Sequence, residues 1–135
     1  MEYDSEEEKK VISSLRAAKN CLNILKSGIT TLRDAGAKYA VNIKVRDAIK
    51  NGLIEGPDII AAGNPISRTG YPKWPICREA DGIDEVRKAV RLEQKSGADF
   101  IKLMATGVES GDPIQPEYSK AEIMAVIEES HSLGL

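Results

Sequence analysis

The sequence contains a single histidine, His131, among its 135 residues. Zinc sites, catalytic triads and acid–base pairs usually draw on at least one histidine and often on several. This chain alone therefore cannot form a histidine-rich metal site. His131 lies near the predicted C-terminal end of a helix, where a cation interacts favourably with the helix dipole, so a structural position is its simpler interpretation.

Other absences exclude further classes of protein. No run of about 18 apolar residues is present, so no membrane-spanning helix is expected, and the acidic N-terminal segment MEYDSEEEKK is unlike a signal peptide. Lys and Arg number 19 against 21 Asp and Glu, without the basic excess of nucleic-acid-binding proteins. Cys21 and Cys77 are too far apart for a CxxC pair and indicate reduced thiols. We therefore expect a cytoplasmic protein that binds neither nucleic acid nor membrane.

Hydrophobic periodicity predicts four amphipathic helices that alternate with three short strands. Capping-box pairs are expected at the starts of the first and last helices, at Ser5 with Glu8 and at Ser119 with Glu122. Asp81 is expected to cap the third helix. The predicted strands lie near residues 29–33, 58–62 and 99–105. A loop from Asn64 to Ala80, with three prolines, separates the second strand from the third helix.

The order α-β-α-β-α-β-α predicts an α/β fold with parallel strands. A small open sheet and an arc of a (β/α)8 TIM-like barrel both fit this order. The arc is favoured because the chain opens with a helix that no strand precedes, so we expect residues 1–135 to form a single partial barrel domain. Such an arc leaves sheet edges and an apolar face uncovered, which predicts a homo-oligomer.

Active sites of such barrels lie at the C-terminal ends of the strands. Here those positions include Arg33 and Asp34, predicted to form a structural ion pair, and the segment from Lys102 to Gly107. Lys102 interrupts an apolar run that reads as a buried strand, where an unpaired ammonium is costly. A neutral lysine there could form a Schiff base or take up carbon dioxide as a carbamate. A strand-end lysine that reaches solvent is the alternative.

Four segments resemble the metal-dependent amidohydrolase superfamily, in its prolidase-like and imidazolonepropionase-like branch. They occur in the family's order and with similar gaps, and they cover most of the chain, from roughly helix 1 to helix 4 of the barrel. The segments are SGITTLRDAG at 27–36, RDAIKNGLIEGPDIIAAGNPISRTG at 46–70, ADGIDEVRKAVRLEQKSGADFIKLMATG at 80–107 and YSKAEIMAVIEESHSLGL at 118–135.

This resemblance implies a hydrolase that cleaves C–N bonds of amide or dipeptide (Xaa-Pro-like) substrates by a metal-activated water. It implies one or two divalent metals, with zinc the expected ion, bridged by a carboxylated lysine. That role carries over to Lys102 as catalytic residue and metal ligand. The family's other ligands, histidines and an aspartate on further strands, have no counterpart here. The metal site is therefore expected to be incomplete in this chain, and the 135 residues alone to be inactive.

Substrate contacts are expected from Arg68 and Tyr71, within and just after the SRTG motif. The family commonly continues this motif with a glycine and a substrate-facing histidine, whereas Tyr71 and Pro72 follow Gly70 here. Val108 likewise replaces the second glycine that usually follows ATG. The resemblance therefore does not determine the substrate.

Two other interpretations stay open on the residues alone. The segment GADFIK followed by Thr-Gly resembles, over about ten residues, the strand of deoxyribose-phosphate aldolases whose lysine forms a Schiff base with substrate. Lys102 would then act without metal. The third interpretation is a non-catalytic, truncated half-barrel fragment that keeps the fold of an arc but no complete site.

Overall fold

In a computed structural model, which describes residues 5–70, 76–107 and 115–135, the chain forms four α-helices and four short strands. The helices are α1 (Glu6–Lys26), α2 (Val41–Lys50), α3 (Gly82–Ser96) and α4 (Lys120–Ser132). The strands are β1 (Thr31–Asp34), β2 (Asp58–Ala61), β3 (Ile66–Ser67) and β4 (Arg78–Glu79). None of the helices within these ranges is long and apolar enough to cross a membrane.

The helix starts follow the predicted capping pattern. Both capping boxes are present, with each serine hydroxyl accepting from the glutamate N–H and each glutamate carboxylate accepting from the serine N–H. Asp81 does occupy the N-cap position of α3, but its side chain makes no cap hydrogen bond. Its carboxylate accepts a hydrogen bond from the Thr69 N–H instead, at 3.1 Å. The N-cap position predicted for Asp81 is therefore confirmed, although its carboxylate bonds the Thr69 N–H and not the first turn of the helix.

The strands pair in parallel. β1 pairs with β2 from Thr31 opposite Asp58 to Asp34 opposite Ala61, and β3 pairs with β4. The segment 99–104 runs beside β2 and β3: Asp99 N–H donates to the Ala61 carbonyl at 2.8 Å and Met104 N–H to the Ile66 carbonyl at 2.9 Å. Donor and acceptor have the same sequence separation in both bonds. β2 and β3 thus act as one interrupted strand in a single register.

The predicted third strand, residues 99–105, is reduced to an isolated bridge between Leu103 and Ile66. The prediction of a continuous strand is wrong because the backbone between β2 and β3 bonds elsewhere. The Gly63 carbonyl accepts from the Ala37 N–H at 3.0 Å, and the Asn64 N–H donates to the Glu93 carboxylate at 3.0 Å. These groups are not available to the 99–104 segment, so its ladder is interrupted.

The segment predicted as a loop between Asn64 and Ala80 contains two of the strands, β3 and β4. The Arg78 N–H donates to the Pro65 carbonyl at 2.7 Å, and the Ala80 N–H to the Ser67 carbonyl at 2.9 Å. Proline has no N–H to donate, but its carbonyl still accepts. The prolines of this segment therefore do not prevent β3 and β4 from pairing, because the bonds between these strands use the carbonyl of Pro65 and not a proline N–H.

Two apolar cores lie between the helices and the strands. One joins β3, α3 and α4, and Ile101 and Leu103 pack against it. The other joins α1, α2 and β2 around Ile43, Ile59 and Ala61. Ile101 and Leu103 therefore lie on the helix side of their segment, as alternation along a strand requires.

Several large apolar side chains remain exposed in the described parts of the chain. They are Val11, Leu15, Ile29, Leu53, Ile60, Ile83, Met124 and Ile127. Exposed apolar surface of this kind is typical of regions that another protein covers. Nothing in the structure shows what covers it, so the homo-oligomer stays a prediction.

Ala40 offers a test of backbone strain at the start of α2. Its φ of 51° and ψ of 34° are left-handed, and it caps the helix without a side-chain hydrogen bond. Glycine adopts this conformation without the Cβ clash. We expect Ala40→Gly to raise the free energy of unfolding by about 0.5–1 kcal/mol, net of the entropy that glycine adds to the unfolded chain. Urea unfolding would measure the change.

Ala48→Gly, in the last turn of the same helix, is the matched control for Ala40→Gly. Its backbone is helical, so glycine should lower the free energy of unfolding by about 1 kcal/mol. A loss of the same size in both variants would show that Ala40 is not strained.

Candidate active site

The C-terminal ends of the strands present two faces that differ in chemistry. Ile66 is level with Arg78 on one side and with Leu103 on the other. Ile66 and Leu103 lie in the core under α3 and α4, and Arg78 contacts Glu93 of α3. Because side chains alternate along a strand, the residues next to these point to the opposite side. We call that side the inner face and define it by Ser67, Cys77, Glu79, Lys102 and Met104.

Lys102 is half-buried on the inner face. Its backbone carbonyl accepts a hydrogen bond from the Ile66 N–H at 2.8 Å, which fixes the position of its Cα beside β3. Among the residues that the structure describes, no hydrogen bond or ion pair reaches its ammonium. The side chain is therefore held at the strand end without a counter-charge from the rest of the described chain.

Ser67 and Cys77 form the neighbouring part of the inner face. Ser67 is 1% exposed, and its hydroxyl is buried without a hydrogen-bond partner in the described ranges. Burial raises the pKa of the Cys77 thiol, and the adjacent Ser67 hydroxyl partly offsets that rise. The thiol thus stays protonated at neutral pH and offers the adjacent Ser67 hydroxyl only a weak sulfur acceptor.

No contact joins Arg68 to Lys102 among the residues that the structure describes. Its Nε lies 2.7 Å from Oε2 of Glu117, whose side chain is only 7% exposed, while the arginine side chain is 51% exposed. The Glu117 N–H donates to the Ala105 carbonyl at 2.9 Å. Arg68 therefore ties the loop after β3 to the segment that follows Lys102. Tyr71, the other predicted substrate contact, lies outside the described residues.

Two carboxylates hold the loop that carries Arg68. The Gly70 N–H donates to Glu79 at 2.9 Å, and the Thr69 N–H donates to Asp81. The hydroxyl and N–H of Thr69 together hold the pKa of Asp81 below its usual value. The loop after β3 is thus fastened from the β4 side and, through Arg68, from Glu117.

The ion pair predicted between Arg33 and Asp34 is wrong. The Arg33 guanidinium lies 3.5 Å from the centroid of the Phe100 ring, a cation–π contact. Asp34 instead accepts from the Gly36 N–H at 2.9 Å and from the Asn42 side-chain amide at 3.0 Å. Consecutive residues of a strand point to opposite faces, so these two side chains diverge.

The sequence analysis missed the buried carboxylate of Glu93. Its side chain is fully buried, with Oε1 2.7 Å from the Arg78 Nε and Oε2 accepting from the Asn64 N–H. A Cβ on Gly63 would lie 2.6 Å from that Oε2. A signal was present, since Glu93 shares the inner stripe of α3 with Val86 and Val90, where a charged residue is exceptional. Through the Glu93 carboxylate, α3 thus fixes the backbone at the interruption between β2 and β3.

In the three described ranges, no group of three or more His, Cys, Asp and Glu side chains could hold a metal ion. Lys102 is thus the one residue of the predicted ligand set that the structure places at the strand ends. A metal centre would need further ligands besides those that the described residues bring together.

Comparison with known proteins decides between the families considered above. The amidohydrolase family matches residues 5–135, which include Lys102 and nearly the whole chain. The chain belongs to the amidohydrolase family. The resemblance read from the sequence is therefore confirmed, and a match of this length favours it over the short similarity to aldolases.

The relatives of this amidohydrolase chain include an ochratoxinase, an Xaa-Pro dipeptidase and a prolidase. Ochratoxinase from Aspergillus niger is 34% identical over an alignment that covers 87% of this chain and 30% of the relative. An Xaa-Pro dipeptidase solved with methionine in its active site is 31% identical, with a TM-score of 0.81 over 98% of this chain and 36% of its own. A prolidase complexed with N-methylphosphonate-L-proline is 31% identical, with a TM-score of 0.76 over 93% of this chain and 35% of its own.

The amidohydrolase chain spans about a third of the length of these relatives. Its mixed α/β architecture with parallel strands is as predicted, and so is its position as one part of a larger family domain.

Proposed function

We propose that this chain is the part of a metal-dependent amidohydrolase that supplies a carboxylated lysine, Lys102. The observation that carries the proposal is the position of Lys102 on the inner face, half-buried and without a counter-charge among the described residues, in an amidohydrolase chain. Residues 1–135 would form one arc of a (β/α)8 barrel whose active site lies at the strand ends.

The inner face fits a carbamate. It brings together a half-buried ammonium and the buried Ser67 hydroxyl, and within the described ranges neither has a hydrogen-bond partner. The neutral lysine amine adds to carbon dioxide: a C–N bond forms, one N–H proton passes to solvent and a carbamate anion results. This exchanges a half-buried cation for an anion with two oxygen atoms, the ligand type that divalent ions accept.

One or two divalent ions, with zinc as the expected metal, would supply Lewis-acid activation of the attacking water. Lys102 would hold them from this chain, and the remaining ligands would come from strands beyond the 135 residues. We therefore propose that the 135 residues alone are inactive.

The proposed substrates are small amides or dipeptides of the Xaa-Pro kind, in line with the names of ochratoxinase, Xaa-Pro dipeptidase and prolidase. Arg68 is the described residue best suited to the carboxylate of such a substrate. Glu117 engages its Nε, and the half-exposed guanidinium keeps its terminal nitrogens for another partner. Tyr71 is proposed to line the same subsite from the sequence alone.

Hydrolysis by a longer protein that contains these 135 residues together with the strands proposed to supply the remaining ligands, here called the full-length protein, tests this function. We expect release of free amino acids from Xaa-Pro dipeptides or from N-acyl amino acids, followed by liquid chromatography. Chelation should remove the activity and zinc should restore it, because the metal activates the water. The 135-residue chain is the matched control and should show no turnover.

The aldolase alternative gives the opposite result. Trapping of an aldehyde on Lys102 by borohydride, with activity that survives chelation and metal absent by elemental analysis, would contradict the proposed function.

A further inference from the structure

The hydroxyl of Ser67 is a buried polar group whose role the fold does not explain. The residue is 1% exposed, and its oxygen has no hydrogen-bond partner among the described residues. Leaving such a group unsatisfied destabilises a fold, and native structures contain few of them. An alanine would avoid this cost, so the hydroxyl points to a partner that is absent from the chain as described.

The neighbours of Ser67 make no hydrogen bond to its hydroxyl in the described ranges. Glu79, level with Ser67 on β4, accepts from the Gly70 N–H. Arg68, the next residue, pairs with Glu117. The Cys77 thiol lies against the hydroxyl, but burial keeps it protonated, and sulfur is a weak acceptor.

Lys102 is the inner-face residue without a partner that lies within reach. The register sets Ile66 beside Leu103, so Ser67 is beside Met104, and Lys102 is its diagonal neighbour on the same face. Cα atoms of diagonal neighbours on adjacent strands are roughly 7–8 Å apart, a distance that long side chains span. The head group of Lys102 can therefore approach the Ser67 hydroxyl.

We propose that Ser67 is a positioning residue for Lys102, whose hydroxyl donates a hydrogen bond to one oxygen of the Lys102 carbamate. This inference rests on the proposed function. The hydroxyl stabilises the carbamate against loss of carbon dioxide and fixes which way its two oxygens point. Before carboxylation the lysine is a donor only, and the serine proton has no acceptor; afterwards an anionic oxygen accepts it.

Carbamate occupancy measures this role without recourse to activity. Metal-free, full-length protein is reloaded with zinc at a series of ¹³C-bicarbonate concentrations, and the carbamate signal is followed by ¹³C NMR. Its absence in Lys102→Ala assigns the signal. We expect Ser67→Ala to raise the bicarbonate concentration for half-occupancy about tenfold or more, the range for a hydrogen bond to a charged group. Ser67→Cys, similar in size but a weak donor, should lie between the two.

Unfolding experiments separate positioning from a structural role. In metal-free protein without bicarbonate, loss of a structural hydroxyl would lower the urea midpoint, whereas loss of an unpaired one should leave the midpoint of Ser67→Ala unchanged or higher. If Ser67→Ala matches the wild-type occupancy at every bicarbonate concentration while the Lys102 signal is present, the Ser67 inference is overturned and the proposed function stands. A wild-type protein with no Lys102-dependent signal overturns both.

Discussion

Replacing Lys102 by alanine is expected to abolish turnover in the full-length protein and to lower its metal content. The loss should be about 10³-fold or more, because under the proposed function the change removes the carbamate oxygens that would hold the activating metal. The fold should survive, since the hydrogen bond from Ile66 uses the backbone carbonyl of Lys102 and the side chain lies outside both cores. Elemental analysis and kinetics on the same preparation would measure both effects.

Companion variants show whether the lost group is a carboxylate. Lys102→Glu should retain more metal than the alanine variant, because it restores two oxygens on a shorter stem. A short carboxylic acid added to Lys102→Ala should recover part of the rate. Lys95→Ala, on the exposed surface of α3, is the matched control and should behave as wild type. A Lys102→Ala enzyme with normal metal and rate would identify this lysine as a solvated strand end.

Glu93→Ala is expected to cause a large loss of stability, about 3 kcal/mol in the free energy of unfolding. The change removes the partner of the Arg78 guanidinium, leaves the Asn64 N–H without an acceptor and opens a cavity beside Gly63. The Arg78 side chain is 34% exposed, so water partly compensates for its lost partner. Urea unfolding of the alanine variant would give the value.

Two controls separate the contributions at Glu93. Glu93→Gln keeps the size and an acceptor for Asn64 but loses the charge, so about half of the effect should remain. Glu128→Ala removes an ion pair with Arg87 in which the glutamate is 58% exposed, and exposed pairs contribute only about 0–1 kcal/mol. Equal losses in the free energy of unfolding for Glu93→Ala and Glu128→Ala would show that burial does not increase the contribution of the Glu93 carboxylate to stability.

The helices were predictable because their signals are local. α1 and α4 begin at capping boxes whose partners are three residues apart, and the apolar stripe of each helix recurs within a few turns. β1 and β2 were likewise found from short β-branched runs, with β1 starting at Thr31 rather than at residue 29. In these elements the residues that decide the structure are near neighbours in the chain.

The pairing between distant strands was less predictable. Nothing near Leu103 indicates that its ladder is limited to one bridge, because the cause lies in the carbonyl of Gly63 and the N–H of Asn64. Both groups are taken by partners from other parts of the chain. β3 and β4 escaped prediction for a related reason, since the proline-rich segment between Asn64 and Ala80 pairs through carbonyls that composition does not reveal.

The sequence by itself determined the helices, the family and Lys102 as the residue of greatest chemical interest, since periodicity, motif order and a charge within an apolar run are all written along the chain. Only the tertiary structure decided what each charged or polar side chain meets. It paired Arg68 with Glu117, placed the Arg33 guanidinium over the Phe100 ring and left the Ser67 hydroxyl buried beside the segment that contains Lys102. The physical reason is register: a shift of one residue in a parallel ladder moves every side chain to the other face, and that register depends on backbone groups far apart in sequence.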